Sequence, residues 1–210
     1  MGPFGQFADP NGGSGRIGLL EILAHYLIDH SEIVLAVVLP NRVADVSQAA
    51  QAVGSDCAVW AHGSDAPLPQ AARLAPSVSQ APGRDSECAL LYTSGTTGRP
   101  KGCRLLNGYF LAAGQWYADL GGACVTHPAQ ERVITPLPLN HMNAMAFSTM
   151  VVLMTGGCLV QLDRFHPQTW WQSVAQSRAT VVHYLGVMPA MLLSAPTQPS
   201  DRAHAVRFGF

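Results

Sequence analysis

Hydrophobic and polar positions along this chain switch repeatedly between the helical and the extended period. Leu19, Leu20, Leu23, Leu27 and Ile28 recur on one face, which predicts a helix over 16–30. A β-branched run over 33–39, stopped by Pro40, predicts a buried strand. Val43, Val46, Ala49, Ala50 and Val53 mark a second helix that Gly54 is placed to end, and 57–60 reads as a short strand. Over 61–87 the pattern lapses into Pro, Ser, Ala and Gly, so this stretch is expected to be a connector. Residues 1–15, rich in Gly and Pro, are expected to be a disordered lead.

The pattern resumes more densely after the connector. A strand is expected over 88–92, a loop over 93–102, and a helix over 107–120 with Asn107 as its N-cap. An extended segment follows over 133–139, then a helix over 142–154. Gly156-Gly157 turns the chain into a strand over 158–162. His166-Pro167 is expected to open a helix ending near Arg178, with Pro167 at its first position and Trp170 and Trp171 as packing residues. A strand over 180–185, a short helix near Pro189 and an extended segment over 206–210 complete the series. Strands alternating with helices of this length predict an α/β fold: a largely parallel sheet with flanking helices.

Composition narrows the function. Twelve basic and thirteen acidic residues leave a net charge of −1, without the positive footprint that nucleic acid or an anionic membrane demands. Charged residues are only 12% of the 210, against about 25% in a typical soluble domain, so the chain is rich in residues suited to burial. The uncharged run most worth weighing as a membrane span, 144–160, is interrupted by Thr155, Gly156 and Gly157 and falls short of the ~20 residues such a span needs. Five cysteines without C-x-x-C spacing read as free thiols in a reducing, cytoplasmic compartment. The eight histidines form no H-x-x-x-H or H-E-x-x-H pattern, so no metal site is expected.

One stretch carries chemistry, Tyr92-Thr-Ser-Gly-Thr-Thr-Gly-Arg-Pro-Lys-Gly102. Four of the five residues over 93–97 bear hydroxyls, and Gly95, Gly98 and Lys101 complete the set. Glycines let backbone N–H groups approach an anion, hydroxyls donate to phosphate oxygens, and lysine neutralises charge. The loop is expected to follow a strand and precede a helix, where α/β sheets bind ligands. It is not a Walker A loop, because Gly95 and Gly98 stand three apart and Gly102 follows the lysine.

This run resembles the signature loop of the adenylate-forming enzymes: acyl- and aryl-CoA ligases, firefly-type luciferases and the adenylation domains of nonribosomal peptide synthetases. Pro136-Leu-Pro-Leu-Asn-His-Met-Asn is similar to the family's next segment. Gly156-Gly-Cys-Leu-Val and Arg164-Phe-His-Pro resemble the following turn, strand and helix start. The stretch 170–189 is similar to the acyl-CoA ligase branch, and within it to the crotonobetaine/carnitine-CoA ligases.

The resemblance implies an N-terminal adenylation domain, incomplete here, with 16–60 as its helix–strand–helix–strand unit and 88–210 as its phosphate-loop and acyl-pocket part. It implies ATP, Mg²⁺ and CoA, with a small carboxylic acid as substrate. Thr93, Ser94, Gly95, Thr96, Thr97 and Gly98 would wrap the β- and γ-phosphates, with Lys101 beside them. His141 would lie near the carboxylate and nucleotide, or would cap the helix that follows. Met142, Met145 and Phe147 would line an acyl pocket or simply belong to the core. Cys103, next to the loop, has no role in this chemistry. The family's adenine- and ribose-binding segments and the domain with its catalytic lysine have no counterpart in these residues. The chain is therefore expected to be a ligase fragment inactive by itself. The alternatives are one half of a split ligase, assembled with the missing remainder, and a non-catalytic nucleotide-binding or interaction module.

Overall fold

The computed structural model describes residues 19–69, 81–93 and 100–210. The lead expected over 1–15 and the middle of the connector lie outside the described residues. The chain divides into two compact units: Met1–Ala81 with Tyr92–Gly102, and Pro82–Leu91 with Cys103–Phe210.

In the first unit, helix α1 (Leu19–Ser31) leads to strand β1 (Leu35–Val38), helix α2 (Val43–Ala52) and strand β2 (Ala58–Ala61). The two strands pair in parallel, Leu35 opposite Ala58 and Val38 opposite Ala61. Parallel strands need a crossover, and α2 supplies it. Its apolar stripe packs Ala49 and Ala50 against Ile28, Ala36 and Cys57. The helix expected over 16–30 is present from Leu19 on, its first three residues lying outside the described ones, and both expected strands are present.

In the second unit four parallel strands form one sheet in the order β6 (Cys158–Gln161), β5 (Arg132–Thr135), β7 (Val181–Val182) and β8 (Phe208–Gly209). Successive strand residues point to opposite faces. Val133 and Val181 therefore pack with Val151 and Val152 on one face, and Ile134 and Val182 with Trp170, Val174 and Met188 on the other. Helix α4 (Thr149–Thr155) covers the first face; α5 (Trp170–Gln176) and α6 (Val187–Leu193) contribute to the second. A sheet covered on both sides explains why these strands read as continuous apolar runs rather than alternating ones. Strand β5 stops at Thr135 because Pro136 has no N–H to extend the ladder.

Four local expectations change. A strand the pattern did not predict, β4 (Lys101–Leu106), pairs with β3 (Glu87–Thr93) and stands between the loop and helix α3 (Asn107–Ala118). Asn107 does not cap α3; it is the first helical residue after Leu106, and its amide donates to the Gly83 carbonyl at 2.9 Å. The carbonyls of Ser86 and Arg84 take the N–H groups of Asn107 and Gly108, so distant backbone does the work of a side-chain cap. The helix expected over 142–154 opens as a π-helix, Asn143–Ser148, before becoming α4. Finally, Pro167 lies in a turn closed by Thr169 N–H on the His166 carbonyl, and α5 starts only at Trp170.

Two glycines have evident causes. Gly156 ends α4 at φ +70°, a left-handed conformation that side chains with a Cβ resist. Gly114 lets α3 approach α4 closely, since a Cβ there would stand 2.7 Å from the Met150 Cβ.

Candidate functional site

The loop stem is visible from both ends. Thr93 closes β3 and Lys101 opens β4, and both residues are exposed. Ser94, Gly95, Thr96, Thr97 and Gly98 lie outside the described residues. An exposed hydroxyl and an exposed ammonium at the two ends of the stem are groups that suit a polyphosphate. The strand pair behind them is held in the second unit by the ion pair of Arg104 and Glu87, and by Leu105 and Ala89 against Phe110. In the first unit, Tyr26 donates its hydroxyl hydrogen to the Pro100 carbonyl at 2.9 Å, and His30 Nδ1 shares a hydrogen bond with the Tyr92 hydroxyl at 2.6 Å.

His141 belongs to the second unit. It is exposed and directly precedes the helix made by the π-turn and α4. Its backbone carbonyl accepts the Met145 N–H at 3.0 Å, and Met142, the N-cap, makes no side-chain cap bond. The imidazole is therefore not the group that caps this helix. Met142, Met145 and Phe147 are half-buried against Phe110, Ala113 and Ala146, so they contribute to the core.

The C-terminal edge of the parallel sheet holds a polar pair that sequence reasoning left among the unassigned histidines. His183 directly follows β7, is 3% exposed, and shares a hydrogen bond of 2.5 Å with the Ser148 hydroxyl at the end of the π-turn. Phe210 and Tyr117 rings lie 4.6 and 6.3 Å from the imidazole. Burial pushes the His183 pKa down from 6.5 to about 4. The folded protein thus keeps this imidazole neutral while the unfolded chain protonates it below its ordinary value. Its contribution to stability is full above pH ~6.5 and is lost as pH falls towards 4, by up to ~3 kcal/mol. Urea denaturation across that window is expected to show this slope, and the non-titrating His183→Gln is expected to flatten it. An equal slope in both proteins would remove His183 as its source.

The cysteines 57, 88, 103, 124 and 158 are all unpaired. Among the described residues no three His, Cys, Asp or Glu side chains converge as metal ligands, and no helix is long and apolar enough to cross a membrane.

A family model described as AMP-binding enzyme matches residues 23–210. The chain belongs to the AMP-binding enzyme family. The match runs through the loop, the His141 segment and the parallel sheet, as the adenylate-forming resemblance implied. Sulfoacetate–CoA ligase of Cupriavidus necator is 32% identical over 187 residues, which cover 87% of this chain and 35% of that ligase. Crotonobetaine/carnitine–CoA ligase of Citrobacter koseri is 28% identical over 123 residues, or 59% of this chain and 23% of that ligase. The solved structure of ATP-bound MatB from Rhodopseudomonas palustris matches 88% of this chain and 36% of its own, with a TM-score of 0.67 and 25% identity. The chain thus spans about a third of the length of sulfoacetate–CoA ligase and of MatB. Its fold is the α/β architecture of that family, represented in part.

Proposed function

We propose that this chain is the phosphate-loop and acid-pocket part of an ATP-dependent acid–CoA ligase. In that reaction a carboxylate oxygen attacks the α-phosphorus of ATP, the bond to the β-phosphate oxygen breaks, and pyrophosphate leaves. The CoA thiolate then attacks the acyl carbonyl carbon and AMP departs. Catalysis of the first step is positioning and charge stabilisation. Thr93, Ser94, Gly95, Thr96, Thr97 and Gly98 wrap the β- and γ-phosphates, and Lys101 neutralises charge beside them. Mg²⁺, a hard cation suited to phosphate oxygens, would be held through the nucleotide and would neutralise charge on its phosphates. His141, exposed at the start of its helix, donates a hydrogen bond to the acid's carboxylate. The substrate is a small carboxylic acid, the acceptor is CoA, the compartment is the cytoplasm, and the remaining ligase segments are the partner needed for turnover.

The observation that carries this reading is the unbroken run from Tyr92 to Gly102 inside a family match that covers nearly the whole chain. It is tested by titrating Mg²⁺–ATP and inorganic pyrophosphate into the chain. Saturable binding is expected, weakened about 10- to 100-fold in Lys101→Ala, as befits loss of a charge-assisted bond. Lys101→Arg retains the charge and is expected to lose less. Absence of saturable binding, or equal affinity in Lys101→Ala, would overturn the assignment. Acid-dependent ATP–pyrophosphate exchange is expected to be absent from the 210-residue chain alone.

A further inference from the structure

The two contacts on the loop stem come from a single helix face. Tyr26 and His30 stand four residues apart on α1, the spacing that places side chains one above the other. Tyr26 reaches Pro100, the residue before Lys101, and His30 reaches Tyr92, the residue before Thr93. The three rings form a closed set. Tyr26 and His30 have centroids 5.0 Å apart, and Tyr92 meets Tyr26 edge-on at 6.2 Å and His30 at 5.6 Å. All of these residues belong to the first unit.

We propose that Tyr26 and His30 are positioning residues for the phosphate site, clamping both ends of its stem so that Thr93 and Lys101 are presented at a fixed separation. This rests on the reading that Thr93 and Lys101 bind the phosphates of ATP. Neither Tyr26 nor His30 needs to touch the nucleotide. Each acts on the residue immediately before a phosphate-binding group, one through a backbone carbonyl and one through a phenol. Plain packing would be satisfied by the rings alone. The hydroxyl of Tyr26 on a main-chain acceptor and the imidazole on the Tyr92 hydroxyl add direction, and direction is what a stem needs to aim its ends. The order of the chain reinforces this, because each contact falls one residue before the group it would aim.

Two conservative variants separate the clamp from packing. Tyr26→Phe keeps the ring and removes the hydroxyl; His30→Phe keeps a ring and removes the bond to Tyr92. Hydrogen exchange on the full chain reads the clamp without nucleotide. Amide exchange at Thr93, Lys101 and Gly102 is expected to quicken severalfold in both variants, while the β5–β8 sheet is unchanged. Unchanged exchange at these three amides overturns the clamp. Titration with Mg²⁺–ATP reads its consequence, and each variant is expected to bind about three- to tenfold more weakly. In a Lys101→Ala background the further loss from Tyr26→Phe should shrink towards onefold, because positioning residues act through the group they hold. Additive losses would assign Tyr26 a merely structural role and overturn the proposal. If the unaltered chain binds neither ATP nor pyrophosphate, the phosphate reading fails and the positioning role falls with it. The exchange data then still report whether the stem is clamped, so the two failures are distinguishable.

Discussion

Glu131→Ala is expected to destabilise the second unit by about 3–5 kcal/mol, the range for breaking a buried ion pair from one side. Glu131 is 2% exposed and sits just before β5. Thr180, just before β7, donates to one carboxylate oxygen at 2.6 Å; the His127 N–H, at 2.7 Å, and Arg207, just before β8, donate to the other. Arg207 also donates to the Val125 carbonyl at 3.0 Å, and the Arg132 N–H to the Thr180 hydroxyl at 2.9 Å. One carboxylate therefore ties together the starts of three strands separated by up to 76 residues of sequence. Its removal strands a guanidinium that is only one-third exposed. Glu131→Gln preserves the shape and part of the bonding, so it should cost less.

The protonation of Glu131 adds a second reading of the same network. Burial pushes its pKa up. The hydrogen bonds from Thr180, Arg207 and the His127 N–H, with the charge of Arg207, outweigh burial and hold it below the usual carboxylate range. A carboxyl whose folded value is depressed stabilises the protein above its unfolded value, ~4.3, and loses that contribution as pH falls through the folded value. This window lies below the one assigned to His183, so the two acid transitions separate. An unfolding free energy from urea denaturation at neutral pH within ~0.5 kcal/mol of the unaltered chain for Glu131→Ala would show that the network contributes little.

Trp170→Ala is the other large expected loss, again about 3–5 kcal/mol, from lost transfer energy plus a cavity. Trp170 is 2% exposed and packs with Ile134, Leu137, Val174, Val182 and Met188, with the Phe165 ring 5.4 Å away. It is the keystone of the second sheet face because α5 has only seven residues and presents just Trp170 and Val174 as buried side chains. Trp171, next in sequence, is only half-buried and stacks on His204 at 5.0 Å. Trp171→Ala is expected to cost clearly less. Equal losses for the two tryptophans in urea denaturation would mean that the face of α5 has been assigned wrongly.

These two predictions differ in how far the sequence reveals them. A tryptophan at a helix start in an apolar stripe is legible locally, since helix periodicity needs only the next four residues. Glu131, by contrast, is one acid among thirteen, and nothing nearby marks it. Its partners become neighbours only because parallel strands place their N-terminal ends side by side.

Local sequence alone determined the alternation of helices and strands, the parallel α/β class, the glycine that ends α4 and the hydroxyl- and glycine-rich run from Tyr92 to Gly102. In each case the cause acts within a few residues: side-chain period, backbone permissiveness, or the crowding of hydroxyls, glycines and a lysine. Tertiary structure alone decided the rest. It made β4 a strand by pairing it with β3, capped α3 with the carbonyls of Arg84 and Ser86, and delayed α5 past Pro167. It also joined His183 to Ser148, Glu131 to Arg207 and His30 to Tyr92. A buried polar group takes whichever partner the fold brings within about 3 Å. That choice depends on how strands order themselves in the sheet and which helix face meets them, which no local pattern encodes.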